Sequence, residues 1–203
     1  MKHLIIVLFF INLIFLTAQN DQKIIAFNKS VDFEEIGNYK DAVKEIENIY
    51  SKFSNDYLVN LRLGWLNYLD KKYDESIKYY KKAVSISNNS IEAQLGITYP
   101  LSAKNNWDEI KNVYANILDT DPLNYTARLN LAQIYLKDGD NLNAKINLEK
   151  LIEQYPSDSA VNLYLGWTYY YLGNKSKANN LFATALIADP TSSSAKEGWN
   201  LTK

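Results

Sequence analysis

The sequence predicts an all-α solenoid of five helix pairs closed by a short C-terminal helix. A fixed interval is the first observation: Pro122, Pro156 and Pro190 follow one another at steps of 34 residues, and a step of that size marks an internal repeat. Columns spaced by 34 also keep their character. Ala42, Ser76, Ile110, Ala144 and Ala178 are mostly small, whereas Ile46, Tyr80, Tyr114, Leu148 and Phe182 are all large and apolar. Periodicity inside a unit supplies the third observation, because Ala178, Leu181, Phe182, Ala185 and Leu186 fall on one helical stripe.

Residues 1–19 stand apart from the repeats. Lys2 precedes a run of 13 residues, Leu4 to Leu16, broken only by Asn12 and followed by the small pair Thr17 and Ala18. That is the layout of a secretory signal peptide, and the run is too short for about 30 Å of hydrocarbon. Cleavage after Ala18 or Gln19 is expected, with an uncleaved anchor as the alternative. Cleavage removes Met1, Lys2 and His3, takes the formal charge from −1 to −2, and leaves a mature chain without His, Cys or Met. Such a chain is expected to be secreted or periplasmic, without stable membrane insertion after cleavage. It has no disulfide and no lipid-bearing Cys.

The register then runs without insertion over 23–192, as units 23–56, 57–90, 91–124, 125–158 and 159–192. Within each unit two helices are expected. Gly37, Gly139 and Gly173 fall at the turn between them, where a left-handed conformation suits glycine. Asp121-Pro122 and Asp189-Pro190 end second helices, since Pro cannot extend a helix and restricts its predecessor. The first unit is the least regular, with Lys29 where later units have Leu63, Ile97, Leu131 and Leu165, and Ser54 in the column of Pro122, Pro156 and Pro190, as expected of a terminal unit. Pro100 falls inside the first helix of the third unit, where it forgoes the bond to Gly96; a local bend beside Tyr99 and a tolerated irregularity are both open. Residues 193–203 place Trp199 34 residues after Leu165 and read as a cap helix packed on the last repeat.

With these residues in view, the chain resembles the tetratricopeptide repeat family. Leu165-Gly166, Tyr169, Gly173, Ala178, Phe182, Ala185 and Pro190 carry the likeness in one unit, and Leu63-Gly64, Tyr73, Tyr80 and Ala83 in another. The resemblance implies a right-handed superhelix whose first helices line a concave surface that holds partner segments. One family position departs. Where many members have Trp, this chain has Ala26, Asn60, Gln94, Arg128 and Asn162, so that contact is expected to be reduced throughout.

Composition narrows function. With 22 basic against 23 acidic side chains and 47% hydrophobic residues, the chain is neither a strongly basic nucleic-acid binder nor a disordered segment. Only Arg62 and Arg128 are arginines, and lysines alternate with acids, so no nucleic-acid partner is expected. Catalysis by Ser-His-Asp or Cys-His and the usual zinc sites need residues that the mature chain lacks. The carboxylate pairs Glu34-Glu35, Glu45 with Glu47, Asp74-Glu75 and Asp108-Glu109 read as solvated helix faces and first-turn residues. Asp138-Gly139-Asp140 reads as turn chemistry, since it lacks the remaining ligands of a calcium loop. No phosphate-binding glycine motif is present, and five Asn-x-Ser/Thr sequons, at Asn28, Asn88, Asn124, Asn174 and Asn200, read as chance in an Asn-rich chain. No enzyme activity, cofactor or metal is expected.

The first helices are apolar beyond their packing stripe. Phe27, Leu61, Leu95, Leu129 and Leu163 are apolar in every unit and read as contacts between successive first helices. Trp65, Tyr68, Tyr99, Trp167, Tyr170 and Tyr171 read as the partner-binding surface, because exposed aromatic residues are enriched at recognition sites. Some family members hold a terminal carboxylate with basic and amide side chains on this face. Here Val31, Trp65 and Leu95 take those places, with only Arg62 and Asn130 polar, so an apolar or aromatic protein segment is the expected partner. The expected function is an exported, non-enzymatic binding scaffold. A self-associating envelope component and a carbohydrate-binding module that uses the same aromatics are the alternatives.

Overall fold

The computed structural model describes residues 20–203. The expected signal peptide lies outside the described residues. Among the described residues the chain forms eleven helices: α1 (20–35), α2 (Tyr39–Phe53), α3 (Tyr57–Leu69), α4 (Tyr73–Ile86), α5 (Ile91–Ala103), α6 (Trp107–Thr120), α7 (Tyr125–Lys137), α8 (Asn141–Ile152), α9 (Ser159–Tyr171), α10 (Lys175–Ala188) and α11 (Ser193–Thr202). The fold class is all-α, and the helices alternate in pairs at the repeat interval. No described helix is long and apolar enough to cross a membrane.

Short polar side chains start these helices at the repeat interval. Asp56, Ser90, Asn124, Asp158 and Ser192 each accept a bond from a backbone N–H three residues on, opening α3, α5, α7, α9 and α11. Asn38, Asp140 and Asn174 do the same for α2, α8 and α10. Each such cap satisfies one of the helix's orphan donors, a contribution of about 1 kcal/mol. Several caps are tied to the first helix of the preceding repeat. Lys23 Nζ meets Asp56 at 2.9 Å, Tyr57 Oη meets Ser90 Oγ at 2.8 Å, and the Tyr125 hydroxyl donates to Asp158 at 3.1 Å. Burial opposes ionisation of Asp56, but Lys23 and the Val59 and Leu58 amides outweigh it and hold the carboxyl below its ordinary range.

Gly37, Gly139 and Gly173 take φ of 74°, 79° and 81°, as their place in the repeat requires. Lys71 and Asn105, at the same place in the second and third units, also take positive φ, 61° and 56°. The turn imposes the left-handed state whichever residue fills it.

The chain divides into two compact units, one ending at Asn106 and the other beginning at Trp107. The division falls inside the third sequence unit, between its two helices. In the first compact unit Ala26, Ala42, Val43, Ile46, Val59, Leu63 and Leu66 form a buried cluster. Tyr80 of α4 lies with its ring against Gly64 of α3 and Gly96 of α5. A Cβ on Gly64 would fall 2.7 Å from Tyr80 Cγ, and one on Gly96 would fall 2.6 Å from Tyr80 Cδ1. Gly96 is therefore occupied by a neighbouring ring, a role distinct from accommodating Pro100. α5 is helical throughout Ile91–Ala103 with Pro100 buried inside it. Ser76 closes the α3–α4 contact by donating from Oγ to the Gly64 carbonyl at 2.7 Å.

The second compact unit repeats the device. Phe182 of α10 lies against Gly166 of α9 and Gly198 of α11, where added Cβ atoms would stand 2.8 Å from Cε1 and 2.6 Å from Cε2. Around it cluster Ala132, Ala144, Leu148, Leu165, Tyr169 and Ala178, with Trp199 packed alongside. The α11 helix is held further by Asn179, whose Nδ2 donates to Thr202 Oγ1 at 3.0 Å.

Polar side chains replace the family's tryptophan contact. Asn60 Nδ2 donates to the carbonyls of Ser54 and Asp56 at 3.0 and 2.8 Å, and Asn162 Nδ2 does the same to Pro156 and Asp158 at 2.9 and 2.8 Å. Gln94 Nε2 reaches the Asn89 carbonyl at 2.9 Å and Arg128 Nε the Pro122 carbonyl at 2.7 Å. In the four units after the first, what sequence reading counts as a reduced contact is thus a hydrogen-bond pin on the preceding loop.

The glycine positions generate a prediction. In a free helix Gly→Ala stabilises by about 1 kcal/mol, but Gly96→Ala meets the Tyr80 ring and is expected to destabilise by about 1–3 kcal/mol, as overpacking does. Urea unfolding checks this. The penalty should largely vanish in a Tyr80→Leu background, and an unchanged penalty there would show that the ring is not the constraint.

Candidate functional site

The aromatic residues of α3 and α5 come together in the first compact unit. Trp65 and Tyr68 are one turn apart on α3 and therefore share a face. Their rings are 5.6 Å apart, and Tyr99 of α5 stands 5.9 Å from Trp65 and 5.6 Å from Tyr68, closing a triangle. Tyr73, which sequence reading assigned to the repeat pattern alone, adds a fourth ring 6.2 Å from Tyr68. The second compact unit holds a separate triangle. Trp167 lies 5.6 Å from Tyr170 and is stacked on Tyr171 at 5.8 Å, and Tyr170 and Tyr171 are 5.6 Å apart. The six predicted residues thus form two groups of three, each within one unit.

Exposure separates the members. Trp65 and Trp167 are half-buried and pack against the core clusters of their own units. Both indole N–H groups have partners, since Trp65 Nε1 donates to Glu34 at 2.7 Å and Trp167 Nε1 to Ser194 Oγ at 2.9 Å. Tyr99 and Tyr171 are the exposed members, at 50% and 57%. The tryptophans brace the face, and the tyrosines present it.

Glu34 corrects one expectation. Read as part of a solvated helix face, it is a bridge: one carboxylate oxygen takes the Trp65 indole and the other pairs with Arg62. Arg62 Nε in turn donates to Ser30 Oγ at 3.0 Å. These partners lie 28 to 32 residues apart, so only the repeat register applied to polar side chains would have joined them.

Beside the first triangle an open groove of about 380 Å3 is lined by Leu61, Tyr80, Glu92, Leu95, Gly96 and Tyr99. Leu61 and Leu95, expected to act as contacts between successive first helices, line this groove and are only half-buried. Leu129 and Leu163 do pack against the second unit's core. Glu92 accepts the Tyr57 hydroxyl at 2.6 Å. Burial and then Glu92 raise the Tyr57 hydroxyl above its ordinary value, so it remains a donor.

Polar clusters elsewhere have structural partners. The buried Tyr169 hydroxyl donates to Glu149 at 2.5 Å, and burial followed by that carboxylate pushes it up to about 12. Tyr125 is pushed up to about 12 by burial and Asp158. Both phenols are therefore protonated at neutral pH and act as donors that join helices. Asp138, Gly139 and Asp140 serve as helix end, left-handed turn and helix cap. Among the described residues no group of acidic or imidazole side chains is arranged to hold a metal ion.

Comparison with known proteins agrees with this architecture. Two family models described as tetratricopeptide repeat match residues 27–91 and, twice, 126–158 and 160–192. Together they cover more than half of the chain, which belongs to the tetratricopeptide repeat family. RNA polymerase-associated protein CTR9 of Caenorhabditis elegans is 24% identical over 164 residues, which is 72% of this chain and 14% of that protein's length. Among solved structures, a tetratricopeptide repeat protein from Parabacteroides merdae is similar with a TM-score of 0.76 at 17% identity, over 90% of this chain and 72% of that one. MamA matches at TM-score 0.70 and 18% identity, over 84% and 93% of the two chains. YrrB, described as a TPR protein with an unusual peptide-binding site, matches at TM-score 0.70 and 16% identity, over 92% and 97%. Identities this low establish a shared fold.

Different exposure predicts different tolerance. Trp65→Ala removes a core-packed ring and the indole donor to one Glu34 oxygen, and should cost about 3 kcal/mol of stability. Tyr99→Ala removes a half-exposed ring and should cost less than about 1 kcal/mol. Denaturant midpoints of the two variants check the ranking; equal losses would refute the division into brace and presenter.

Proposed function

We propose that this chain is an exported, non-enzymatic scaffold that holds an apolar or aromatic segment of another protein on the first-helix aromatics of α3 and α5. One observation carries the reading: Tyr99, half-exposed, stands beside an open groove whose walls include Leu61, Leu95 and Tyr80. Exposed aromatic and aliphatic surface of this kind is the usual core of a recognition patch. The family's fold supports it, as does the peptide-binding site described for the structurally similar YrrB. Trp167, Tyr170 and Tyr171 offer a second aromatic patch on α9.

Export rests on the layout of residues 1–19, and the mature chain is placed in the periplasm or outside the cell. Intact-mass measurement of the protein recovered from its source should show a chain beginning at Gln19 or Asn20. Full-length mass would replace cleavage with an uncleaved anchor.

Binding is tested by panning a random peptide library on the purified chain beside its Tyr99→Ala variant, with folding verified by circular dichroism. Enriched peptides should carry aromatic or aliphatic side chains and lose at least tenfold in affinity on Tyr99→Ala, a loss of about 1.4 kcal/mol. Peptides that bind both proteins equally would move the site away from α5.

A further inference from the structure

The groove on the first compact unit has an electrostatic bias that its apolar walls conceal. α3 and α5, the first helices beside it, hold two charged residues between them, Arg62 and Glu92. Arg62 is committed, since it pairs with Glu34 and donates to Ser30. Glu92 is not. It lines the groove, is exposed, and among the described residues forms no ion pair; its one partner is the neutral Tyr57 hydroxyl at 2.6 Å. No lysine or arginine is among the residues that line the groove. An acid at one end of an aromatic and aliphatic channel, without a counter-ion of its own, is complementary to a cation.

Resting on the peptide-binding reading above, we propose that this groove selects an extended peptide segment that carries a Lys or Arg side chain for Glu92 and an apolar side chain for the Tyr99 end. Spacing follows from geometry. Glu92 and Tyr99 are seven residues apart on one helix, about 10 Å along its axis. An extended chain covers about 10 Å in three residues. The segment therefore has its cationic residue three positions from its apolar one. A cation entering this groove also has the half-exposed Tyr99 ring beside it, and ring faces attract cations. The opposite terminal arrangement, a peptide carboxylate, meets Glu92 with no free basic side chain to receive it.

Three labelled octapeptides, acetylated and amidated, test this by fluorescence anisotropy with the purified full chain. They share Phe at the sixth position and differ only at the third, which is Lys, Gln or Glu. The Lys peptide is expected to bind at least tenfold more tightly than the Gln peptide, and the Glu peptide most weakly. The Lys preference should shrink in 0.5 M salt. Glu92→Gln keeps an acceptor for Tyr57 and should abolish the preference while leaving the Gln peptide unchanged; Glu92→Lys should invert it. Equal binding of all three peptides, lost on Tyr99→Ala, would overturn the cationic selection and leave the peptide-binding reading standing. A Lys preference that survives Glu92→Gln would overturn the assignment to Glu92. Absence of binding by any of the three would overturn both readings.

Discussion

The spacing of successive first helices rests on one contact, an aromatic ring held between two glycines. Tyr80 occupies the space that side chains on Gly64 and Gly96 would need, and Phe182 does the same between Gly166 and Gly198. Both rings are buried, Phe182 completely, and each contributes about 1.5–3 kcal/mol of apolar burial. The larger consequence is geometric. A ring in contact with two helices at once fixes their separation, because close-packed interiors do not deform continuously. Trp65 adjoins Gly64 in sequence, and Tyr99 follows Gly96 by three residues. The 5.9 Å approach of those two rings is thus set from behind by Tyr80. Where the register places a smaller side chain, Ile46 or Leu148, the corresponding positions are Ser30 and Arg62, or Ala132 and Tyr164. The register alone does not pair a ring with glycines, since Tyr114 has Thr98 and Asn130 at those positions.

Polar groups supply what the solenoid lacks in apolar contact. The caps opening α3, α5, α7, α9 and α11 recur every 34 residues, and the pins from Asn60, Gln94, Arg128 and Asn162 fasten the loops just before them. Asn60 and Asn162 are almost wholly buried, and buried amides of this kind are stable only when bonded. Each pin therefore specifies a loop conformation as well as stabilising it. Family members with Trp at this place fill the same volume with a ring. Here the volume is smaller and the linkage directional.

The helices, their turns and the identity of the aromatic residues were legible in the sequence because they depend on local periodicity and on single-residue rules. The columns through Ala42 and Ile46 or Ala178 and Phe182 showed which faces are buried, and Gly37, Gly139 and Gly173 marked the left-handed turns. Lys71 gives no sign of that turn because lysine rarely takes a positive φ, whereas Asn105 carries a signal weaker than glycine's, asparagine being enriched in the left-handed region. The polar linkages were missed for a different reason. Glu34 reads as an ordinary surface acid until Trp65 and Arg62 are brought to it from another helix, and Asn60 reads as a lost tryptophan until the loop carbonyls are in view. Such long-range polar contacts depend on the register between units, applied to residues that hydrophobic periodicity ignores. Glu92 belongs with them, since its significance lies in the absence of a neighbouring cation.

Pre-organisation links this packing to binding. Tyrosine has two side-chain torsions, so holding it in place costs little entropy when a partner arrives. In each triangle the tryptophan is fixed first, by its indole bond to Glu34 or Ser194 and by the core beneath it. The tyrosines then rest against a fixed ring, and little ordering is left to oppose binding. The two triangles nevertheless offer different chemistry. α9 contains no charged side chain, so its aromatic face offers ring surface and phenolic hydroxyls without a charge of its own. α5 contributes Glu92 beside Tyr99, and that single carboxylate gives its groove a polarity, with one end suited to a cation and the other to an apolar side chain. In the proposed complex, direction along a bound segment is therefore read on the first unit's groove.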